Sequence, residues 1–549
     1  MRSSLRVAAV SALFLTSTQA APTSPSTIQW FACPQNESIV APYECGTLQV
    51  PLDYTLPEYD TLELKMVRVS HTKEPFMGSI LFNAGGPGLE TRSLVAGGGE
   101  GLLELTGGHF DLIGHDPRGT GDTLPFHCYN ESERALSLLA TPASTDSSDA
   151  APGQIFAERK ILSQACVREH EDSGVGELVG TAFTIRDLFQ IVDALGEDGL
   201  LRYWGFSYGS ALGATAAAMF PDRIDKLIID AVLNLQQYYD GRDYQQVYKA
   251  DAGLRHFLGT CLKAPDACIL SQQGSSVDEI ETKIWEKLES IRQQPLATGP
   301  TINDLIKYGS VTASINTGLR QPMSPIGWPL LAQLLSSLIT SNTTGFREAY
   351  DIFNGFLQAT DEPSWPAEVT ESPYAIRCSD HSFRADNLSD LVPVYEEFER
   401  TSKLTGGWIA GGQPMSCAQW PWKAKEQIQW KSEYVTRSPL LVIGNTWDTL
   451  TPVESAFNTS ASFPGSGVVH QNTGGHGSIA HPSTCTANAI RAYLVNGTLP
   501  SGGSVLCEPD EPLGVFASTD SSSKKRSLMS EEDTRLYEAM EKLARRALY

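Results

Sequence analysis

The chain has 549 residues, 41% of them hydrophobic and 19% charged, which is ordinary for a globular protein and long enough for one large domain with an insertion, or for two domains. Its formal net charge of -23 argues against nucleic acid or an anionic membrane as a partner, and such an acidic surface serves solubility outside the cell.

Residues 1–20 read as a secretory signal peptide. Arg2 and Arg6 precede a short apolar run from Val7 to Leu15, and Thr18-Gln19-Ala20 is a small-x-small cleavage site. That run is too short to span a bilayer, and no later run is long and apolar enough. The expected location is therefore extracellular. The ten cysteines (Cys33, Cys45, Cys128, Cys166, Cys261, Cys268, Cys378, Cys417, Cys485 and Cys507) fit an oxidising compartment, and none forms a C-x-x-C pair of the zinc or redox kind. They fall into five local pairs in chain order, although the count allows many pairings. Six N-x-S/T sequons, at Asn36, Asn130, Asn342, Asn387, Asn458 and Asn496, are candidate glycosylation sites.

The mature chain is expected to divide into residues 21–234, a first core part; 235–432, a helical insertion; 433–516, a second core part; and 517–549, a linker and a short helix. Residues 21–30 are a polar lead-in. Leu62 to Val69 alternates as an edge or half-buried strand does. Ser79-Ile80-Leu81-Phe82 is a short buried strand that ends in Gly85-Gly86-Pro87-Gly88, and Phe110 to Gly114 is another that ends in Asp116-Pro117-Arg118-Gly119. Thr184 to Leu195 has helical spacing, and Lys226-Leu227-Ile228-Ile229-Asp230 is a strand. This order predicts a mostly parallel, doubly wound α/β sheet. Residues 235 to about 432 are helix-rich without strand alternation. Leu440 to Gly444 resumes the sheet, Val468-Val469 begins a final strand, and Thr486 to Leu494 is a final helix of the core. Segment 517–530 is Ser-rich and contains Lys524-Lys525-Arg526; the helix from Glu531 to Leu548 reads as a surface helix.

The chemistry centres on Gly205-Phe206-Ser207-Tyr208-Gly209, a G-x-S-x-G turn between a strand-like run and a small-residue helix. The turn exposes the Ser207 hydroxyl at the edge of the sheet, and its glycines are needed because side chains there would strike the neighbouring strand and helix. A serine needs a base to take its proton and an acid to orient that base. Asp448 follows the strand Leu440–Gly444, and His476 lies between glycines past the next strand, giving the order Ser, Asp, His. Glu454 is the alternative acid, and His470 and His481 are the rival bases. The oxyanion donors are expected to be the N–H of Tyr208 and that of Gly86, with Gly85 next. The glycine loop lacks the spacing of a phosphate cradle. Asp116 and Arg118 read as structural, through a buried ion pair that fixes the loop near the site. No metal or organic cofactor is required.

On these residues the chain resembles the tripeptidyl aminopeptidase-like (TAP-like) branch of the α/β-hydrolases, relatives of the proline iminopeptidases. The matching stretches are Glu44 to Tyr54, Gly85 to Gly88, Phe110 to Gly121, Gly205 to Gly209, Ala375-Ile376-Arg377-Cys378-Ser379-Asp380, the Asp448 segment with Thr451-Pro452, and Gly475-His476-Gly477 followed by Cys485. The resemblance implies an α/β-hydrolase fold, a Ser207-Asp448-His476 triad, a lid over the cleft, and removal of short peptides from a free N-terminus. An exopeptidase of that kind binds the substrate ammonium through a carboxylate, for which Asp380 and Glu90 are the candidates. The chain departs from the family at Leu89-Glu90-Thr91 and at Asp230-Ala231, which bears on the substrate rather than on the chemistry. An esterase or secondary-metabolite hydrolase with the same machinery is the alternative, and a non-catalytic hydrolase-fold binding protein is the reading from a different class.

Overall fold

Three short runs, Ile80-Leu81-Phe82, Leu112-Ile113 and Leu227-Ile228-Ile229, are wholly buried. Successive side chains point to opposite faces of a strand, so such runs suit a sheet covered on both sides. A computed structural model describes residues 27–33, 43–140, 143–358, 371–511, 513–516 and 529–546. The signal peptide, Asn36 and Lys524-Lys525-Arg526 lie outside them.

The strands are β1 (Gln29–Ala32), β2 (Tyr43–Pro51), β3 (Thr61–Val69), β4 (Ser79–Asn83), β5 (Asp111–His115), β6 (Leu201–Phe206), β7 (Ile224–Asp230), β8 (Leu296–Ala297), β9 (Leu305–Ile306), β10 (Leu441–Trp447), β11 (Gly467–Gly474) and β12 (Ser504–Cys507). Ten of them form one sheet in the order β1-β2-β3-β5-β4-β6-β7-β10-β11-β12. β1, β2, β3 and β5 pair antiparallel, and every later pairing is parallel. Leu81, Ile113 and Ile229 face one apolar layer with the helices Thr181–Ala194 and Tyr208–Met219. Ile80, Phe82, Leu112 and Ile228 face the other, with the helices Thr91–Thr106 and Thr484–Asn496.

Between β7 and β10 the described residues are mainly helical, apart from the two-residue strands β8 and β9, which pair with each other. This segment has an apolar core of its own around Phe257, Ile315, Leu331 and Phe353. Five disulfides join the cysteines in chain order: Cys33–Cys45, Cys128–Cys166, Cys261–Cys268, Cys378–Cys417 and Cys485–Cys507. The five described sequon asparagines, at 130, 342, 387, 458 and 496, are exposed. Among the described residues no helix is long and apolar enough to cross a membrane.

Two expectations are corrected and a third is refined. The lead-in contributes an edge strand, since β1 pairs with β2 and the Cys33–Cys45 bridge holds them together. β11 is not the last strand: β12 pairs with it in parallel and is tied by Cys485–Cys507 to the helix Thr484–Asn496; its four residues are too short a run to stand out in the sequence. The helix Glu531–Ala544 lies on the surface as expected but is firmly docked, with one face buried through Leu536, Tyr537, Met540 and Leu543. It docks on the glycines of Thr91–Thr106: a Cβ at Gly98 or Gly101 would stand 3.0 or 2.9 Å from Leu543.

Candidate active site

Ser207 joins β6 to the helix Tyr208–Met219 at φ 56° and ψ -120°, a backbone state that costs a non-glycine residue about 1–3 kcal/mol. The glycines beside it admit no side chain. A Cβ on Gly205 would lie 2.3 Å from the Gly209 carbonyl oxygen, and one on Gly209 would lie 2.8 Å from that of Asn83. Ser207 N–H donates to the Asp230 carbonyl at 3.0 Å, which fixes the turn to the end of β7.

Asp448 and His476 come from the ends of β10 and β11, neighbouring strands of the sheet. His476 Nδ1 lies 2.8 Å from Asp448 Oδ2 and 3.1 Å from Oδ1, with both side chains buried. The carboxylate also accepts the N–H groups of Leu450 and Thr451, at 2.9 and 3.0 Å, and the Thr451 hydroxyl at 2.7 Å. Burial alone would raise its pKa, but His476 and Thr451 outweigh it and hold Asp448 below the usual carboxylate value. Positive φ at Gly475 (101°) and Gly477 (81°) lets the loop turn His476 back toward the sheet. The rivals lie elsewhere: Glu454 is ion-paired to Lys249 at 2.7 Å, His470 meets the Thr446 hydroxyl at 2.7 Å, and His481 lines a second cavity with His256 and Trp447.

Ser207 and His476 line one cavity of about 570 Å³, together with Gly86, Pro87, Leu89, Leu233 and Leu450. Gly85 presses on the turn, since a Cβ there would stand 2.6 Å from the Phe206 carbonyl oxygen and 2.9 Å from Ser207 Cβ. Its N–H donates to Asn83 Oδ1 at 3.0 Å. Neither Gly86 N–H nor Tyr208 N–H has an acceptor among the described residues, so these two remain able to hold an oxyanion.

Neither expected ammonium-binding acid lines the cavity. Asp380 is buried behind it and accepts Thr181 N–H and the Tyr238 hydroxyl, both at 2.9 Å; burial raises its pKa to about 6. Glu90 packs against Asp116 and Arg92 at the start of the helix Thr91–Thr106, where burial and the Asp116 charge raise its pKa. Its chain position, one residue past a lining leucine, gave no hint that it turns away. Asp116 and Arg118 are buried ion-pair members but not with each other: Asp116 pairs with Arg92, and Arg118 with Asp187 through two contacts of 2.7 Å. Missed altogether were four arginines, Arg134, Arg159, Arg320 and Arg377, which line the cavity with Glu371. Only Arg377 had a signal, its place beside Asp380 in a stretch already singled out.

The family described as alpha/beta hydrolase fold matches residues 78–287, and the TAP-like protein family matches residues 407–506. A tripeptidyl aminopeptidase of Streptomyces lividans is 26% identical over 501 residues, covering 88% of this chain and 87% of the relative. The serine protease Hip1 of Mycobacterium tuberculosis is 25% identical, covering 87% of this chain and 90% of the relative. A carboxylesterase B of the same species is also 25% identical, over 90% and 92% of the two chains. The chain has the α/β-hydrolase fold, carries a C-terminal region that matches the TAP-like family, and is a serine hydrolase.

Proposed function

We propose that this serine hydrolase is a secreted peptidase that cleaves short peptides through an acyl-enzyme, with Ser207, His476 and Asp448 as its catalytic triad. The observation that carries the reading is the 2.8 Å contact between His476 and Asp448 at the wall of the cavity that Ser207 also lines. With Nδ1 facing the carboxylate, the neutral imidazole keeps its proton there and offers Nε2 as the base. His476 takes the Ser207 proton as the hydroxyl attacks the scissile carbonyl. Asp448 stabilises the imidazolium that forms. The N–H groups of Gly86 and Tyr208 bind the oxyanion. The proton passes to the leaving amine, and water, activated by the same imidazole, releases the acyl group.

The helices between β7 and β10 act as the lid in this reading, since Arg320, Arg377 and Trp408 on them form cavity walls. A walled cavity favours short substrates over folded proteins, and the aminopeptidase name of the Streptomyces relative agrees with an exopeptidase. Secretion is supported by the sequence of residues 1–20, the five disulfides and the exposed sequon asparagines.

The second reading, an esterase, draws on the carboxylesterase name of one relative. Parallel digestion of peptide anilides and matched esters, each with a free or acetylated amine, separates the readings. The exopeptidase loses most of its kcat/KM on the blocked peptide. Turnover of esters with none on any peptide overturns the peptidase reading.

A further inference from the structure

The cavity beside Ser207 is lopsided in charge. Four guanidiniums line it, against the carboxylate of Glu371 as the one lining acid among the described residues. Glu371 already accepts two hydrogen bonds from Arg134, at 2.9 and 3.1 Å, and one from Cys128 N–H at 2.7 Å. Arg159 has Glu158 at 3.2 Å. Arg320 and Arg377 have no carboxylate in ion-pair contact among the described residues. Arg320 donates to the Thr317 hydroxyl at 3.4 Å, and Arg377 donates to the Gly86 carbonyl at 3.3 Å. The Nε of each is buried and lacks an acceptor.

A guanidinium withdrawn from water without an anion is a costly arrangement, and its planar fork matches a carboxylate. Burial lowers the pKa of both groups, but arginine keeps its charge across the physiological range. Carboxylates beyond contact distance partly offset both charges, Asp448 that of Arg320 and Asp243 that of Arg377. What singles out Arg377 is its position. Its contact with the Gly86 carbonyl sets it beside the loop expected to hold the oxyanion, within a residue or two of a scissile carbonyl.

We propose that the cavity recognises a carboxylate of the substrate, held by Arg377 with Arg320 as the second cation. The proposal rests on Ser207 being the nucleophile of this cavity. The carboxylate can come from an Asp or Glu side chain on the acyl side of the scissile bond, or from the free C-terminus of a short leaving segment.

The test uses peptides with one carboxylate at a time: Glu against Gln at each of the acyl-side positions, and C-terminal acid against amide. The wild type should favour the acid by at least tenfold in kcat/KM in one arm, and that arm names the source. The preference should fall below about threefold in Arg377→Gln and recover in part in Arg377→Lys, whatever either variant does to overall rate. Equal rates on every acid and neutral pair, or a preference untouched in Arg377→Gln and Arg320→Gln alike, overturns the proposal. A wild-type readout stands beside it should the variants not fold: N-acetylglutamate, and not the uncharged N-acetylglutamine amide, should slow labelling of Ser207 by a fluorophosphonate. Labelling that neither compound slows overturns the proposal alone. A chain not labelled at Ser207 at all removes the active-site reading and the proposal with it.

Discussion

Asp230 holds the Ser207 turn and the His476 loop together. Its carbonyl accepts Ser207 N–H at 3.0 Å, while its side chain accepts Ser478 N–H at 3.0 Å and the Ser478 hydroxyl at 2.5 Å. The last residue of β7 thus ties Ser207 to a turn two residues beyond His476. Replacing it with Ala should lower kcat about 10- to 100-fold with a smaller change in KM, because misplaced catalytic groups cost rate steeply. Steady-state kinetics checks this, and an unchanged kcat would show that the loop needs no such tie.

The same residue predicts a pH effect. Burial raises the Asp230 pKa from 3.8 to about 6, so the folded chain binds that proton more tightly than the unfolded chain. Stability from this group is therefore present at low pH and is lost as pH rises from about 4 through 6. Asp230→Asn lacks the ionisation and keeps an acceptor for Ser478. The Tm difference, variant minus wild type, should move in the variant's favour between pH 4 and 7. A difference independent of pH would contradict the assignment.

Gly85→Ala places a methyl group 2.6 Å from the Phe206 carbonyl oxygen at a φ of 105°. The loop must shift away from Ser207, and Gly86 with it. Loss of an oxyanion donor costs about 10²- to 10³-fold in kcat, and a comparable fall is expected here. Kinetics on the purified variant, with a melting curve to confirm folding, measures it.

Leu543→Ala removes the side chain that fills the space over Gly98 and Gly101. Truncation of a buried leucine costs about 2–5 kcal/mol, so the urea midpoint should fall clearly. A solvent-exposed helix would give almost no shift.

The strand–turn–helix context of Ser207 was legible because its constraints are local: Gly205 and Gly209 leave no room for side chains, and the buried runs on either side are short and apolar. The order of Asp448 and His476 was legible for a similar reason, each standing just past an apolar strand run. The docking of Leu543 was not, since an amphipathic pattern names a buried face but not the surface that covers it. The cavity charges were the hardest to see. Arg320 and Arg377 lie on helices of the segment between β7 and β10, 113 and 170 positions beyond Ser207, and nothing in their spacing marks which way they face. The acids expected to bind substrate failed for that reason too: Asp380 is three residues from Arg377, yet it turns inward to Thr181 and Tyr238.

The proposed mechanism depends first on Ser207 as the nucleophile. Wild type and Ser207→Ala should be treated with a fluorophosphonate, mapped by peptide mass spectrometry, and assayed on one peptide substrate. A single adduct at Ser207 is expected in the wild type, none in the variant, with a fall in turnover of about 10⁴-fold or more. An adduct on another residue, or a variant that turns over at near the wild-type rate, would contradict that mechanism.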